Sequence, residues 1–226
     1  MLRMFQITLL AGVTFCFLSG YAMAGNMFAT PKAGTLGLGA DLGYTYSPKI
    51  KLRGNVNGFA MDYENDMDDV EYDVDATLFT IGALIDWHPF QNGFRISAGA
   101  FYNANEIDGQ ATLKEDKTVE IGDKEYDAND LGKLDAKLDV NPVSPYLGLG
   151  WGTSPGENRN WFFSCDVGVL YQGEPEVDLK GKDIKLQGQA KKRLQTEISQ
   201  EESDIQDEVE SYRFYPVIAL GITYRF

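Results

Sequence analysis

Apolar residues recur at every second position in seven separate stretches of this chain. Gly37 to Tyr46 sets Leu38, Ala40, Leu42, Tyr44 and Tyr46 against Gly37, Gly39, Asp41, Gly43 and Thr45. Lys49 to Met61 repeats the pattern more weakly, with Ile50, Leu52 and Val56 opposing Lys51, Arg53, Asn55 and Asn57. Thr77 to Trp87 sets Phe79, Ile81, Ala83, Ile85 and Trp87 against Thr80, Gly82 and Asp86, and Phe94 to Ala104 sets Phe94, Ile96, Ala98, Ala100 and Tyr102 against Arg95, Ser97, Gly99 and Asn103. Pro145 to Gly152 opposes Leu147, Leu149 and Trp151 to three glycines, and Trp161 to Gln172 opposes Trp161, Phe163, Cys165, Val167, Val169 and Tyr171 to Ser164, Asp166, Gly168 and Gln172. The last stretch runs from Phe214 through Pro216, Ile218, Leu220, Ile222, Tyr224 and Phe226 on one face, and from Arg213 through Tyr215, Val217, Ala219, Gly221, Thr223 and Arg225 on the other. A period of two sends alternate side chains to opposite faces, so each stretch predicts a two-faced β-strand.

The apolar face of every stretch is free of charge, while its opposite is mixed, small and polar. A soluble sandwich or lipocalin-like barrel would hide its apolar faces and wet its outer ones. The repeated pattern instead matches a transmembrane barrel, apolar outside and polar within. The connections alternate too: 47–48, 88–93 and 153–160 are short and rich in Pro, Gly and Asn, whereas 62–75, 105–138 and 173–210 are long and charged. In outer-membrane barrels the short turns face the periplasm and the long loops face outward. The strand ending at Tyr46 then descends to a periplasmic turn and requires an ascending strand before it, for which Asn26 to Ala33 and the Gly34-Thr35 turn are the available material. The expectation is an all-β fold, an eight-stranded antiparallel transmembrane β-barrel with long extracellular loops and both termini periplasmic. Aromatic residues reinforce it: Tyr46, Trp87, Phe94, Trp151, Trp161, Tyr224 and Phe226 gather beside the short turns, and Tyr102, Tyr171, Tyr212 and Phe214 near the loop ends. Rings of this kind favour the headgroup level.

Two further segments refine the loops. "KKRLQTEISQEESDIQDEVESY", Lys191 to Tyr212, predicts an α-helix whose Leu194, Ile198, Ile205 and Val209 make a narrow apolar stripe. Its bases lie at the positive end of the helix macrodipole, so the stripe must find packing on the rim, other loops or a partner. "KTVEIGDKEYDA", Lys117 to Ala128, admits a hairpin rising above the membrane.

The N-terminus changes the compartment. A basic start at Met1 to Arg3, an apolar run from Met4 to Leu18 and the Ala22-Met23-Ala24 pattern read as a secretory signal peptide. The expected domains are 1–24, the cleaved signal, and 25–226, the barrel. The apolar run is shorter than the roughly 20 residues that span a bilayer as a helix. Loss of Arg3 takes the net charge from −14 to −15 and leaves Cys165 as the single cysteine, so no intrachain disulfide is expected. A chain this acidic is unsuited to neutralising nucleic acid phosphates.

The closing strand with Tyr224 and terminal Phe226 resembles the C-terminal signal read by the outer-membrane barrel assembly machinery. In size and loop pattern the chain is similar to the eight-stranded barrels typified by the OmpA transmembrane domain and OmpX, without a peptidoglycan-binding domain after the barrel. "GALIDWHPF", "SPYLGLGWG" and "YPVIALGITYRF" resemble a set of bacterial outer-membrane barrel proteins. The resemblance implies the outer membrane of a Gram-negative bacterium, with lipid and lipopolysaccharide around the barrel. It implies no activity.

Candidate chemistry concentrates on the inner face. Parity directs Asp41, Lys51, Arg53, Asp86, Arg95, Asp166, Arg213 and Arg225 into a lumen that side chains of an eight-stranded barrel nearly fill. Unpaired charges there would be costly, so a network of ion pairs is expected, with Asp86, Arg95 and Arg225 near one end. The only histidine, His88, sits beside Pro89 in a short turn, with no nucleophile and acid patterned around it, and no catalytic, cofactor or metal site is expected. "GTLGLGADLG" does not follow G-x-G-x-x-G and leads into no helix. Asp62 to Asp75 holds eight acids and no base. Oxygen-rich runs can bind divalent cations, but this one lacks the EF-hand order and is expected to be a solvated loop. Together these features predict a plugged barrel serving envelope structure or surface interaction, with an extracellular protein partner as one possibility. The alternative is a narrow channel or carrier for small or hydrophobic solutes, of the kind proposed for OmpW-like barrels.

Overall fold

The computed structural model describes residues 26–67, 70–113, 118–121, 124–127, 132–152 and 160–226. The signal segment 1–24 and most of the turn at 153–160 lie outside them. Eight strands close into an antiparallel barrel: β1 (Met27–Gly34), β2 (Gly37–Ser47), β3 (Ile50–Met67), β4 (Val70–Trp87), β5 (Phe94–Asn103), β10 (Val143–Trp151), β11 (Trp161–Tyr171) and β13 (Phe214–Arg225), with β13 pairing back onto β1. The remaining described elements are β6 (Glu106–Leu113), the β7–β8 hairpin (Thr118–Ile121, Lys124–Asp127), β9 (Lys133–Asp139), β12 (Glu176–Lys182) and one helix, α1 (Gly188–Val209). The first strand, which has little pattern of its own, forms as parity requires: it pairs with β2 from Met27↔Tyr44 to Gly34↔Gly37.

Alternation sorts the barrel side chains as the two-residue period dictates. Along β3, Lys51, Arg53, Asn55 and Asn57 are buried in the lumen while Leu52 and Val56 are exposed outside. Along β4, Thr80, Leu84 and Asp86 point in, and Phe79, Ile81, Ile85 and Trp87 point out. The same holds on β11, where buried Ser164 and Asp166 alternate with exposed Phe163 and Val167. At the short-turn end, outward rings pack across strands: Trp161 and Tyr224 lie 4.8 Å apart, Phe94 and Trp151 5.1 Å, Tyr224 and Phe226 5.2 Å.

The acidic segment 62–75 is not a solvated loop. β3 and β4 pair without interruption from Ile50↔Trp87 to Met67↔Val70, so its described residues, 62–67 and 70–75, form the upper arms of one long hairpin. The ladder prevails over composition, because Asp and Glu are poor strand formers and sit opposite one another at Asp62↔Asp75 and Glu64↔Asp73. Segment 105–138 likewise contains strands rather than open loop. After Thr80↔Asn103, β4 changes partner and pairs with β6 from Thr77↔Glu106 to Val70↔Leu113; β6 then pairs with β9, and β9 with β12. A five-stranded sheet, β12-β9-β6-β4-β3, thus stands above the long-hairpin side of the barrel.

Polarity inverts where that sheet leaves the barrel. Below it, the outward row of β3 and β4 is apolar; from Asp62 and Asp75 upward the same row is acidic, while the inward row becomes Met61, Tyr63, Val74 and Tyr72. Helix α1 covers the inward face at its far edge, burying Leu194 and Ile198 against Leu179, Leu134, Ala136 and Ile184. Ile205 and Val209, the other two stripe residues, are half-buried. The helix also satisfies the edge of β12: Glu202 Oε2 accepts the Leu179 N–H at 3.2 Å and Gln206 Oε1 the Val177 N–H at 3.0 Å. An open strand edge is thereby closed to further pairing.

Candidate functional site

The lumen is built in two layers. In the half nearer the short turns, Arg53 of β3 occupies the centre. Its Nη1 donates to Asp41 Oδ2 and Asp166 Oδ2, both at 3.0 Å, and its Nη2 to Asp86 Oδ1 at 2.9 Å and Ser97 Oγ at 3.2 Å. Arg95 Nη2 donates to Asp166 Oδ1 at 2.7 Å and to Ser164 Oγ at 3.1 Å. Lys32 Nζ reaches Asp41 Oδ1 at 2.9 Å. Three carboxylates therefore meet three cations, drawn from β1, β2, β3, β4, β5 and β11, so the network ties together most of the circumference. Ser97 Oγ donates to Asp86 at 2.6 Å, Asn55 donates to Asp41, and Asn57 bridges Asn55 at 2.6 Å and Thr80 at 2.8 Å. Such additional hydrogen bonds are what a buried ion cluster needs to offset its desolvation.

Small residues make the space. A Cβ on Gly150 of β10 would lie 2.6 Å from Arg95 Nε, so the guanidinium occupies the volume that any other residue would fill. Gly168 does the same for Tyr146, whose hydroxyl would lie 2.5 Å from an added Cβ. Tyr146 belongs to the second layer. Toward the long hairpins, Leu36, Leu84, Phe101, Tyr146, Leu170 and Val217 form a buried apolar cluster joined by Tyr215, with Phe101 and Tyr146 edge to face at 5.5 Å. This layer lies across the lumen above the charges and excludes water from that side.

Together the layers leave little open volume. One void, bounded by Leu36, Arg53, Asn57, Leu84, Phe101 and Tyr146, has about 10 Å³; another, bounded by Phe28, Lys51, His88, Arg95, Ser164 and Thr223, also has about 10 Å³. Each is about the space of a single water.

Asp41, Arg53, Asp86, Arg95 and Asp166 thus sit in one cluster. Arg225 lies at its short-turn end over the Phe162 ring, 5.6 Å from the centroid, in the region of Lys51, which is 5.5 Å from the Phe28 ring. Arg213 lies elsewhere. It precedes β13 at the loop end, where it pairs with Glu174 at 2.8 Å and with Glu210, because the lumen has already given way to the outer sheet at that height. His88 is fully buried behind its turn, with Nδ1 3.0 Å from the Asn92 carbonyl. Sequence parity overlooks Lys32, which sits on a strand without visible alternation. Parity places Asn55, Asn57, Thr80, Ser97 and Ser164 on the inward rows, but their part in the network is not singled out from the sequence, which marked only the charged residues there.

A second charged surface lies on the outer face of the five-stranded sheet. Asp62, Asp75, Asp108, Lys137 and Asp178 form one row across it, and Glu64, Asp73, Gln110, Asp135 and Lys180 the next, around a depression of about 570 Å³. The acids crowd at the β3–β4 side and the lysines at the β9–β12 side. Partial desolvation beside Glu106 pushes the Asp108 carboxyl up, whereas hydrogen bonds from Lys182 and Gln110 hold that of Asp135 down. Among the described residues no three acids converge as a metal site would require.

The chain matches no protein-family model and no curated protein sequence. In solved structures the fold recurs in Acinetobacter baumannii CarO, with a TM-score of 0.57 and 23% identity over 89% of this chain and 98% of that one. It recurs likewise in Acinetobacter baumannii CarO2, with a TM-score of 0.56 and 22% identity over the same shares. The eight-stranded barrel fold is therefore shared with these solved structures.

Proposed function

We propose that this protein is an integral outer-membrane barrel of a Gram-negative bacterium, sealed by its luminal ion cluster, that presents its outer sheet and α1 to the exterior for envelope structure or surface interaction. The observation that carries the reading is the lumen: among the described residues, two packed layers bound voids of about 10 Å³ each, too small for a solute. The membrane location rests on the uncharged outward rows bounded by aromatic rings. The position at which outward rows turn acidic, Asp62 and Asp75, marks the upper interface. Short turns and both termini face the periplasm in this orientation, with Tyr224 and Phe226 serving as the assembly signal and lipopolysaccharide surrounding the upper wall. A channel is the competing reading, and it requires the Arg53 cluster to open.

Orientation is tested by cysteine labelling in a Cys165→Ser background. Gln195→Cys on the exposed face of α1 should react with a membrane-impermeant maleimide on intact cells, and Lys49→Cys in the β2–β3 turn only after permeabilisation. The opposite pattern, or labelling of both in intact cells, would overturn the proposal.

A further inference from the structure

The barrel wall is not level. The β1–β2 hairpin turns at Gly34–Gly37, opposite Ala219 of β13 and beside Gly58 and Phe59 of β3. Above that turn β13 continues five residues to Phe214 and β3 nine residues to Met67, each without a strand partner on this side among the described residues. On the β13 side the resulting notch is roughly 17 Å tall along the strand at about 3.3 Å per residue.

The notch lies within the apolar band. Phe214, Pro216 and Ile218 continue the uncharged outward row of β13 along its full height, and on β3 the first outward charge is Asp62, four residues above Gly58. A bare strand edge in hydrocarbon would carry unsatisfied backbone groups at a cost of several kcal/mol each. This edge is finished by one side chain. Thr35 Oγ1 accepts the Ile218 N–H at 3.2 Å and donates to the Pro216 carbonyl at 2.9 Å, the Thr35 N–H donates to the Ile218 carbonyl at 2.9 Å, and Pro216 has no N–H to satisfy. Pro216 and Thr35 also deny the edge to an added peptide strand.

What the notch opens onto is apolar as well. Phe59 and Met61, on the inward row of β3, are 38% and 37% exposed, although the equivalent inward positions lower down are buried. Leu36, at the lip of the turn, belongs to the apolar layer with Val217, and Tyr215 closes the far side by donating from its hydroxyl to the Thr35 carbonyl at 2.6 Å.

We infer that this notch is a binding groove for one acyl chain of an outer-leaflet lipid, which enters sideways over the β1–β2 turn and lies against Phe59, Met61, Leu36 and Tyr215. The inference rests on the proposed membrane location. The uncharged outer row runs directly into the groove, so an acyl chain reaches it without leaving hydrocarbon, and the finished β13 edge takes no added strand.

Photo-crosslinking in cells tests it. p-Benzoylphenylalanine replaces Phe59 in one variant, Met61 in a second, outward Leu42 in a third and solvent-facing Gln195 in a fourth; folding is checked by heat-modifiable gel mobility, and adducts are read by mass spectrometry of the purified protein. Lipid adducts at Phe59 or Met61 of the same order as at Leu42, with none at Gln195, are expected. Lipid adducts at Leu42 alone, or protein adducts at Phe59 and Met61, would overturn the groove and leave the membrane reading intact. Absence of lipid adducts at Leu42 would overturn both.

Discussion

Replacing Arg53 with Met keeps much of the side-chain volume but removes the charge that faces Asp41, Asp86 and Asp166. The three carboxylates do not suffer equally. Asp41 retains Lys32 at 2.9 Å and its bond from Asn55, and Asp166 retains Arg95 at 2.7 Å. Asp86 keeps its bond from Ser97, the charge of its cross-strand neighbour Lys51 and an Arg95 Nε contact of 4.0 Å, too long for a hydrogen bond, but loses the charge-assisted bond from Arg53. The penalty therefore falls mainly on Asp86, and breaking a buried pair of this kind costs about 3–5 kcal/mol. With a urea slope of about 2 kcal/mol/M, a loss of about 4 kcal/mol lowers the unfolding midpoint by about 2 M. The assay is urea unfolding in liposomes, followed by tryptophan fluorescence. Adding Asp86→Asn to Arg53→Met should recover a large part of the shift, because the stranded charge is then gone. An Arg53→Met midpoint equal to that of the unaltered protein, or a double variant no better than the single one, would refute the reasoning.

Four other expectations follow from the same geometry. Leu170, wholly buried in the apolar layer, should cost about 2–5 kcal/mol as Leu170→Ala, read as an earlier urea midpoint, since the ring of neighbours cannot collapse into the cavity. Replacing both Glu202 and Gln206 with Ala should speed hydrogen exchange at the Leu179 and Val177 amides while leaving exchange in β10 and β11 unchanged, because only the β12 edge loses its acceptors. In the outer sheet, Asp135 has a lowered folded pKa, so its contribution is complete above the unfolded value of 3.8 and is lost as pH falls through the folded value below it; Asp135→Asn should flatten that acid limb in melts of the outer sheet. Asp108 has the opposite sign: its raised folded pKa disfavours the folded state at neutral pH and is relieved as pH falls toward 3.8, so Asp108→Asn should stabilise β6 at pH 7.

The barrel half of this fold was legible because one rule governs it. Each barrel strand alternates, and the charges at Asp41, Arg53, Asp86, Arg95 and Asp166 stand out against small neighbours on the inward rows. The upper half was not legible by the same rule, because the polarity of its two faces inverts at Asp62 and Asp75. Read as composition, the eight acids of 62–75 resemble a loop; read as parity, they continue the strands. Nor does a sequence show that β4 changes partner between Thr80 and Thr77, which is what raises 106–113 and 133–139 into the same sheet. Arg213 illustrates the boundary. Its parity is inward, but two residues above Tyr215 the lumen has ended, and it meets Glu174 and Glu210 instead of an aspartate of the cluster.

The sealed lumen is the central claim, and single-channel conductance of the folded protein in a planar bilayer at neutral pH tests it most directly. A lumen closed by the Arg53 cluster and the Leu170 layer predicts no stepwise current in a preparation whose folding has been verified. Discrete, reproducible openings from the unaltered protein would contradict it and would make the cluster a gate.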